Sequence, residues 1–172
     1  MKSIWIVKQY GSTPDLPGGT RQYNLARSLA KRGYRVTFFL SRFHYLLHEE
    51  VGPVTGASAS IEDREGVRLV WIKSTPYARN DWRRVANMLD FAARFYAAAV
   101  EPSKYGRDIS PPDVVVANNL PLLAPLAAQR IARHFGARFV LEIGDLWPQT
   151  LIDMGKLKES GPVSKILRWI EA

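Results

Sequence analysis

Two adjacent glycines are the first residues of this chain whose type and setting point to chemistry. In Pro17-Gly18-Gly19-Thr20-Arg21 they join a strand-like run, Ile4-Trp5-Ile6-Val7, to a stretch with Tyr23, Ala26, Leu29 and Ala30 at helical spacing and Gly33 as its stop. A turn without Cβ atoms lets backbone N–H groups come close to an anion, and the dipole of the following helix favours negative charge there. Gly18, Gly19 and Thr20 are therefore a candidate phosphate or carboxylate loop, although paired glycines serve a tight turn or close helix-strand packing equally well. The third glycine of the dinucleotide fingerprint is missing, as is the Gly-Lys-Ser/Thr of a phosphate loop, so the usual NAD and ATP motifs are excluded.

Three other groups carry polar residues of interest. Asn118-Asn119 and Gly144-Asp145 each follow an apolar run. Asp145 can transfer a proton or simply cap the turn at Leu146-Trp147-Pro148, where the Trp-Pro pair reads as a packed corner rather than a sugar platform. His44 and His48 are four apart, but His-Tyr-Leu-Leu-His lacks the glutamate of a zinc-protease helix, and no metal site is expected. Arg79, Trp82, Arg83 and Arg84 form either a solvated helix face or an interfacial patch for anionic lipid.

The elements that must position these residues alternate. Strands are expected at Ile4–Val7, Tyr34–Leu40, Glu65–Lys73, Asp113–Ala117 and Arg138–Ile143. Helices are expected after the glycines, over Asp81–Val100 with Val85, Leu89, Ala92, Phe95 and Ala99 as its apolar stripe, over Pro121–Phe135, and from Pro162 to Glu171. From Ser41 to Ser60 the pattern dissolves into loop. The sum is an α/β, Rossmann-like, doubly wound and mostly parallel sheet, whose ligands belong outside the carboxyl ends of the strands. Gly18-Gly19, Asn118-Asn119 and Gly144-Asp145 should then crowd one rim.

Composition narrows the class of function. With 172 residues, 47% of them apolar, the chain can bury one sizeable core. The absence of cysteine removes disulfides, thiolate metal sites and a cysteine nucleophile, and permits a reducing compartment. Met1-Lys2-Ser3 leads straight into a strand-like run, which argues against a signal peptide, and nothing has the length of a membrane span. A net charge of +8 predicts attraction to an anion, whether nucleic acid, lipid or a phosphorylated substrate. No recognised nucleic-acid motif is present, so a nucleotide- or nucleic-acid-binding domain without catalysis stands only as the alternative reading.

Taken in order and spacing, Pro17-Gly18-Gly19-Thr20-Arg21, Thr75-Pro76-Tyr77, the helix holding Arg84, Asn87 and Phe91, and Asp145-Leu146-Trp147-Pro148 resemble the N-terminal half of family 4 glycosyltransferases. The subset that builds bacterial surface polysaccharides is the most similar. The resemblance implies the GT-B fold, two Rossmann-like domains across a cleft, and retaining transfer of a sugar from a nucleoside-diphosphate donor to a saccharide or lipid-linked acceptor. It implies that residues 1–172 are the acceptor-side domain, that the donor-binding domain and its paired glutamates are absent, and that this portion alone is inactive. By position, Gly18, Gly19 and Thr20 would lie near the donor diphosphate, while Arg21, Asn118, Asn119 and Asp145 would line the acceptor cleft. Asp145 is the candidate catalytic residue on this side. Gly144 stands where the family often has arginine, and Asn118-Asn119 where many relatives have histidine or small polar residues. No cofactor is implied. A cytoplasmic location, peripheral at the inner face of the plasma membrane, is expected, with Arg79, Trp82, Arg83 and Arg84 facing the lipid.

Overall fold

The computed structural model describes residues 1–53, 56–101, 109–144, 149–155, 157–162, 164, 165 and 168. Six strands form one sheet in the order β5-β6-β2-β1-β7-β8. They are β1 (Ser3–Val7), β2 (Arg35–Ser41), β5 (Ala59–Arg64), β6 (Val67–Ile72), β7 (Val114–Asn118) and β8 (Arg138–Glu142). All neighbours are parallel except β5, which runs antiparallel to β6 at the edge. A two-stranded ribbon, β3 (Phe43–His44) with β4 (Glu49–Glu50), stands apart. The helices are α1 (Arg21–Lys31), α2 (Trp82–Val100), α3 (Leu123–His134) and the short α4 (Gln149–Asp153).

Strand period two sorts the core into two layers. Ile4, Ile6, Val36, Phe38, Leu40 and Leu69 point to α1, where they meet Tyr23 and Ala26. Trp5, Val7, Phe39, Val70 and Ile72 point the other way, to Phe91, Phe95, Ala98 and Ala99 of α2 and Ala128 and Ile131 of α3. Helices thus cover both faces of a Rossmann-like sheet. The order places β1 between β2 and β7, so the chain leaves β1 and β7 on opposite sides and opens a crevice at their carboxyl ends.

The structure corrects the expected elements in several places. Between Ser41 and Ser60, read as loop, lie β3, β4 and the start of β5. β5 escapes a pattern search because Ala59-Ser60-Ile61-Glu62-Asp63-Arg64 has one large apolar residue. It is held instead by its ladder to β6 and by Trp71 Nε1 donating to Glu62 at 3.0 Å. Glu65 and Gly66, taken as strand, make the β5–β6 turn, both with positive φ (49° and 79°).

The stripe of α2 is rotated from the one expected. Asn87, Phe91, Phe95, Ala98 and Ala99 face inward, whereas Val85 and Leu89 are 53% and 55% exposed. The reason is polar. Asn87 Nδ2 donates to Ser74 Oγ (2.9 Å) and Thr75 O (2.7 Å), and its Oδ1 accepts from Gln9 Nε2 (2.7 Å). Leaving such buried groups unpaired would cost about 1–3 kcal/mol each, which exceeds the gain from turning Val85 inward. α3 starts at Leu123 rather than Pro121, with Pro125 inside its first turn, where the missing N–H costs nothing. The expected helix from Pro162 to Glu171 lies largely outside the described residues.

Candidate functional site

The glycine loop leaves β1 through Lys8 and Gln9 and returns to the sheet rim as α1. Its two glycines play different parts. Gly18 has φ +108°, and a Cβ there would meet Ser12 Oγ at 2.9 Å and Tyr45 Oη at 3.4 Å, so the turn itself requires glycine. Gly19 has no such φ, and a Cβ there would have no neighbour within 4 Å. Nothing in the fold demands a bare backbone at Gly19.

Behind the loop, His44 acts as its anchor. The ring is buried (2% exposed), with Nε2 3.0 Å from Pro17 O and 3.3 Å from Ser12 Oγ. Its Nδ1 accepts the N–H groups of Leu46 and Leu47, each at 3.3 Å, which assigns the proton to Nε2 and the donation to Pro17. Burial pushes the imidazole pKa down, against a smaller upward pull from the Pro17 hydrogen bond and Glu49, and keeps the ring neutral. His44 and His48 therefore share no helix face: His48 has a left-handed backbone (φ 57°), and its Nδ1 lies 3.0 Å from Tyr77 O. Among the described residues no cluster of three metal-ligating side chains exists.

At the mouth of the loop, α1 begins without a side-chain cap. The Thr20 hydroxyl accepts from Asn24 Nδ2 at 3.2 Å instead of bonding a first-turn N–H, and that turn contains no acidic residue. Its N–H groups are left to face the rim with the positive end of the dipole. Two cations stand beside them. Lys8 Nζ donates to Gln22 Oε1 (2.9 Å), Gln22 Nε2 donates to Glu142 Oε2 (2.8 Å), and Arg21 pairs with Glu142 Oε1 (2.8 Å). Burial lowers the Lys8 pKa, with Glu142 pulling it up and Arg21 down. Arg21 is 78% exposed, so its ion pair adds no more than about 1 kcal/mol and its guanidinium is free to re-pair.

Asn118 and Asn119 reach the same rim and brace it. Asn118 Oδ1 accepts from Leu120 N (3.2 Å), and its Nδ2 donates to Glu142 O (3.4 Å). Asn119 N donates to Glu142 O (3.0 Å), and Asn119 Oδ1 accepts from Gly144 N (2.9 Å). Arg21, Gln22 and the two asparagines thus meet around Glu142, at the carboxyl ends of β7 and β8. Asp145, with Leu146, Trp147 and Pro148, lies outside the described residues. Arg79, Trp82, Arg83 and Arg84 form a separate group around the start of α2.

Glu142, Gln22 and Lys8 were not singled out from the sequence, and His44 was weighed only as a metal ligand beside His48. Two signals were present: Lys8 and Glu142 are charges at the carboxyl ends of otherwise apolar strands, the position that drew attention to Asn118. Gln22 and His44 gave none, because both act through partners distant in sequence.

At the strand-end rim of this Rossmann-like domain an uncapped helix start, a lysine and an arginine stand together, groups that can meet an anion. The family model of the glycosyl transferase 4-like domain matches residues 18–172, and the chain belongs to that family. No curated protein matches it. A sugar donor and an acceptor are the general partners of such a domain, and the match opens at Gly18, the turn glycine. Among the described residues, no helix is long and apolar enough to cross a membrane.

Proposed function

We propose that residues 1–172 are the acceptor-side domain of a two-domain GT-B glycosyltransferase. The enzyme transfers a sugar, with retention, from a nucleoside diphosphate to a lipid-linked saccharide in bacterial surface-polysaccharide synthesis, at the cytoplasmic face of the membrane. The donor diphosphate lies against Gly18, Gly19 and Thr20, and the acceptor lies toward Arg21, Asn118, Asn119 and Asp145. Asp145 assists proton transfer, and the principal carboxylates belong to the second domain.

The observation that carries this reading is Gly19. It is bare where the fold has no use for bareness, and it opens onto uncapped N–H groups. As the diphosphate leaves, charge builds on its oxygens, and donors fixed in place stabilise that charge more than the ground state. Lys8 and Arg21 add positive potential on the same side.

The test is a pair of substitutions in the two-domain enzyme. Gly19→Val is expected to lower turnover per folded molecule about a hundredfold or more, the usual loss for one such donor, with the melting temperature nearly unchanged. Gly18→Val is expected to do the opposite, since its strain at φ +108° and its clash with Ser12 act on folding. Normal turnover in Gly19→Val would leave the loop as a turn only and remove the proposal.

A further inference from the structure

A cavity of about 290 Å³ sits on the far side of Tyr45 from the glycine loop, lined by Tyr45, His48, Tyr77, Arg79, Asn80 and Arg84 with Ala78. We infer that it is a phosphoryl-binding subsite, receiving a phosphate or diphosphate that the acceptor carries. The identity of that occupant rests on the glycosyltransferase reading; the binding of the anion does not.

The charge argument comes first. Two arginines and no carboxylate line the cavity, and neither Arg79 nor Arg84 has an acidic partner among the described residues. Of the acids on α2 and its cap, Asp81 accepts from Arg83 N, and Asp90 is held by Arg94 and Thr75. Arginines left together without a counterion favour an anion from solution.

Geometry makes the pair selective for phosphate. Arg84 Nη1 is fixed by Asn80 Oδ1 at 2.8 Å, and the guanidinium lies 6.0 Å over the Tyr10 ring. Its Nε is buried and makes no hydrogen bond, so one edge of a pre-oriented planar fork waits for an acceptor. The Tyr10 hydroxyl is buried next to the Tyr77 hydroxyl. A buried guanidinium N–H without a partner among the described residues is expensive unless something arrives to use it. Burial, with the neighbouring Tyr10 hydroxyl, drives the Tyr77 phenol pKa well above its usual value, so that ring offers a neutral O–H. The wall at His48 is held in its left-handed backbone by the bond to Tyr77 O, a local strain of the kind found at ligand sites. At about 30 Å³ per water, the cavity has the room of roughly ten waters, ample for a diphosphate.

Position gives the subsite its role. Tyr45 stacks between Tyr10 and His44, with centroids 5.1 and 5.5 Å away, and its hydroxyl borders Gly18. An acceptor phosphate would therefore sit one tyrosine away from the donor loop. The exposed apolar row Trp82, Val85, Leu89 and Tyr96 starts at the same end of α2 and offers a track for an attached hydrocarbon chain. The shared chemistry is the phosphoryl group, whether it is carried by a lipid or by a free sugar phosphate.

Calorimetric titration of the chain with inorganic pyrophosphate, at fixed ionic strength, tests the site. Saturable binding is expected, with Kd raised at least tenfold in Arg79→Gln/Arg84→Gln and unchanged in Arg133→Gln, a charge control at an exposed position in the last turn of α3. Arg79→Gln alone, at an exposed residue whose side chain has no partner among the described residues, keeps the test valid if Arg84→Gln folds poorly; about a threefold loss is expected from it. Absence of saturable binding, or wild-type binding by folded arginine variants, would overturn the subsite. Farnesyl diphosphate binding at least tenfold tighter than pyrophosphate, with the gain lost in Leu89→Glu, would support the site and assign a lipid source. Equal binding of the two would support it and assign a free sugar phosphate. Arginine-dependent binding in a protein whose two-domain form transfers no sugar would keep the subsite and remove the glycosyltransferase reading.

Discussion

His44 connects acid to the glycine loop. In the folded protein burial holds its imidazole below the ordinary value of 6.5. The unfolded chain therefore takes up a proton near pH 6.5 while the folded chain does not. The stability this provides is complete above about pH 6.5, is lost as pH falls from there to the folded pKa, and changes no further below it. Unfolding midpoints in urea are expected to drop between pH 7 and 5, and His44→Gln is expected to flatten that slope. A wild-type midpoint constant over this interval would contradict the anchoring role. The sequence made the glycines legible because a turn residue announces itself locally. It could not disclose His44, whose partners Ser12 and Pro17 are 32 and 27 residues away, while its one visible relation, to His48, was the misleading one.

At the scale of elements, α2 is the informative case. Its apolar residues fall on two faces, Phe91-Phe95-Ala98-Ala99 and Trp82-Val85-Leu89-Tyr96, and periodicity alone cannot say which is buried. The inward polar tie of Asn87 decides the matter. The outward face ends in Arg79, Arg83 and Arg84, with the Arg83 guanidinium 5.6 Å over the Trp82 ring, an arrangement suited to an interface between lipid tails and anionic headgroups. Vesicles containing anionic lipid are expected to bind the chain, with affinity falling as salt rises, each arginine near the surface adding about 1 kcal/mol. Arg79→Gln/Arg83→Gln/Arg84→Gln should release it, and equal retention of the triple variant in a flotation assay would remove α2 from membrane contact. Strands β1, β2, β6, β7 and β8 were legible as β-branched and aromatic runs. The edge strand β5 and the ribbon were not, because they are held by ladders and side-chain bonds to partners outside their own sequence.

The whole molecule is polarised along its strands. The candidate site and the arginine cavity flank the glycine loop, while a larger cavity of about 430 Å³, lined by Ser3, Arg35, Thr37, Asp63 and Arg68, opens among the strand starts. Size would rank that cavity above the arginine cavity; topology ranks it below, since crevices for ligands form where strands end. Across the sheet the covering is uneven. α1 shields β1 and β2, but β8 has one strand neighbour, and Val140, Leu141 and Ile143 are left open to water. That margin has a practical meaning at high protein concentration. Its unused N–H and C=O groups can template the addition of a strand from another molecule, with Arg138 and Glu142 as the only charges restraining the process. Light scattering of concentrated samples is expected to rise with time through β8-to-β8 contacts, and Val140→Lys is expected to suppress the rise without altering anion binding at the opposite end of the sheet. Identical scattering in both would place the adhesive surface elsewhere. The same strand whose terminal Glu142 organises the rim would then set how concentrated this protein can be kept before it gels.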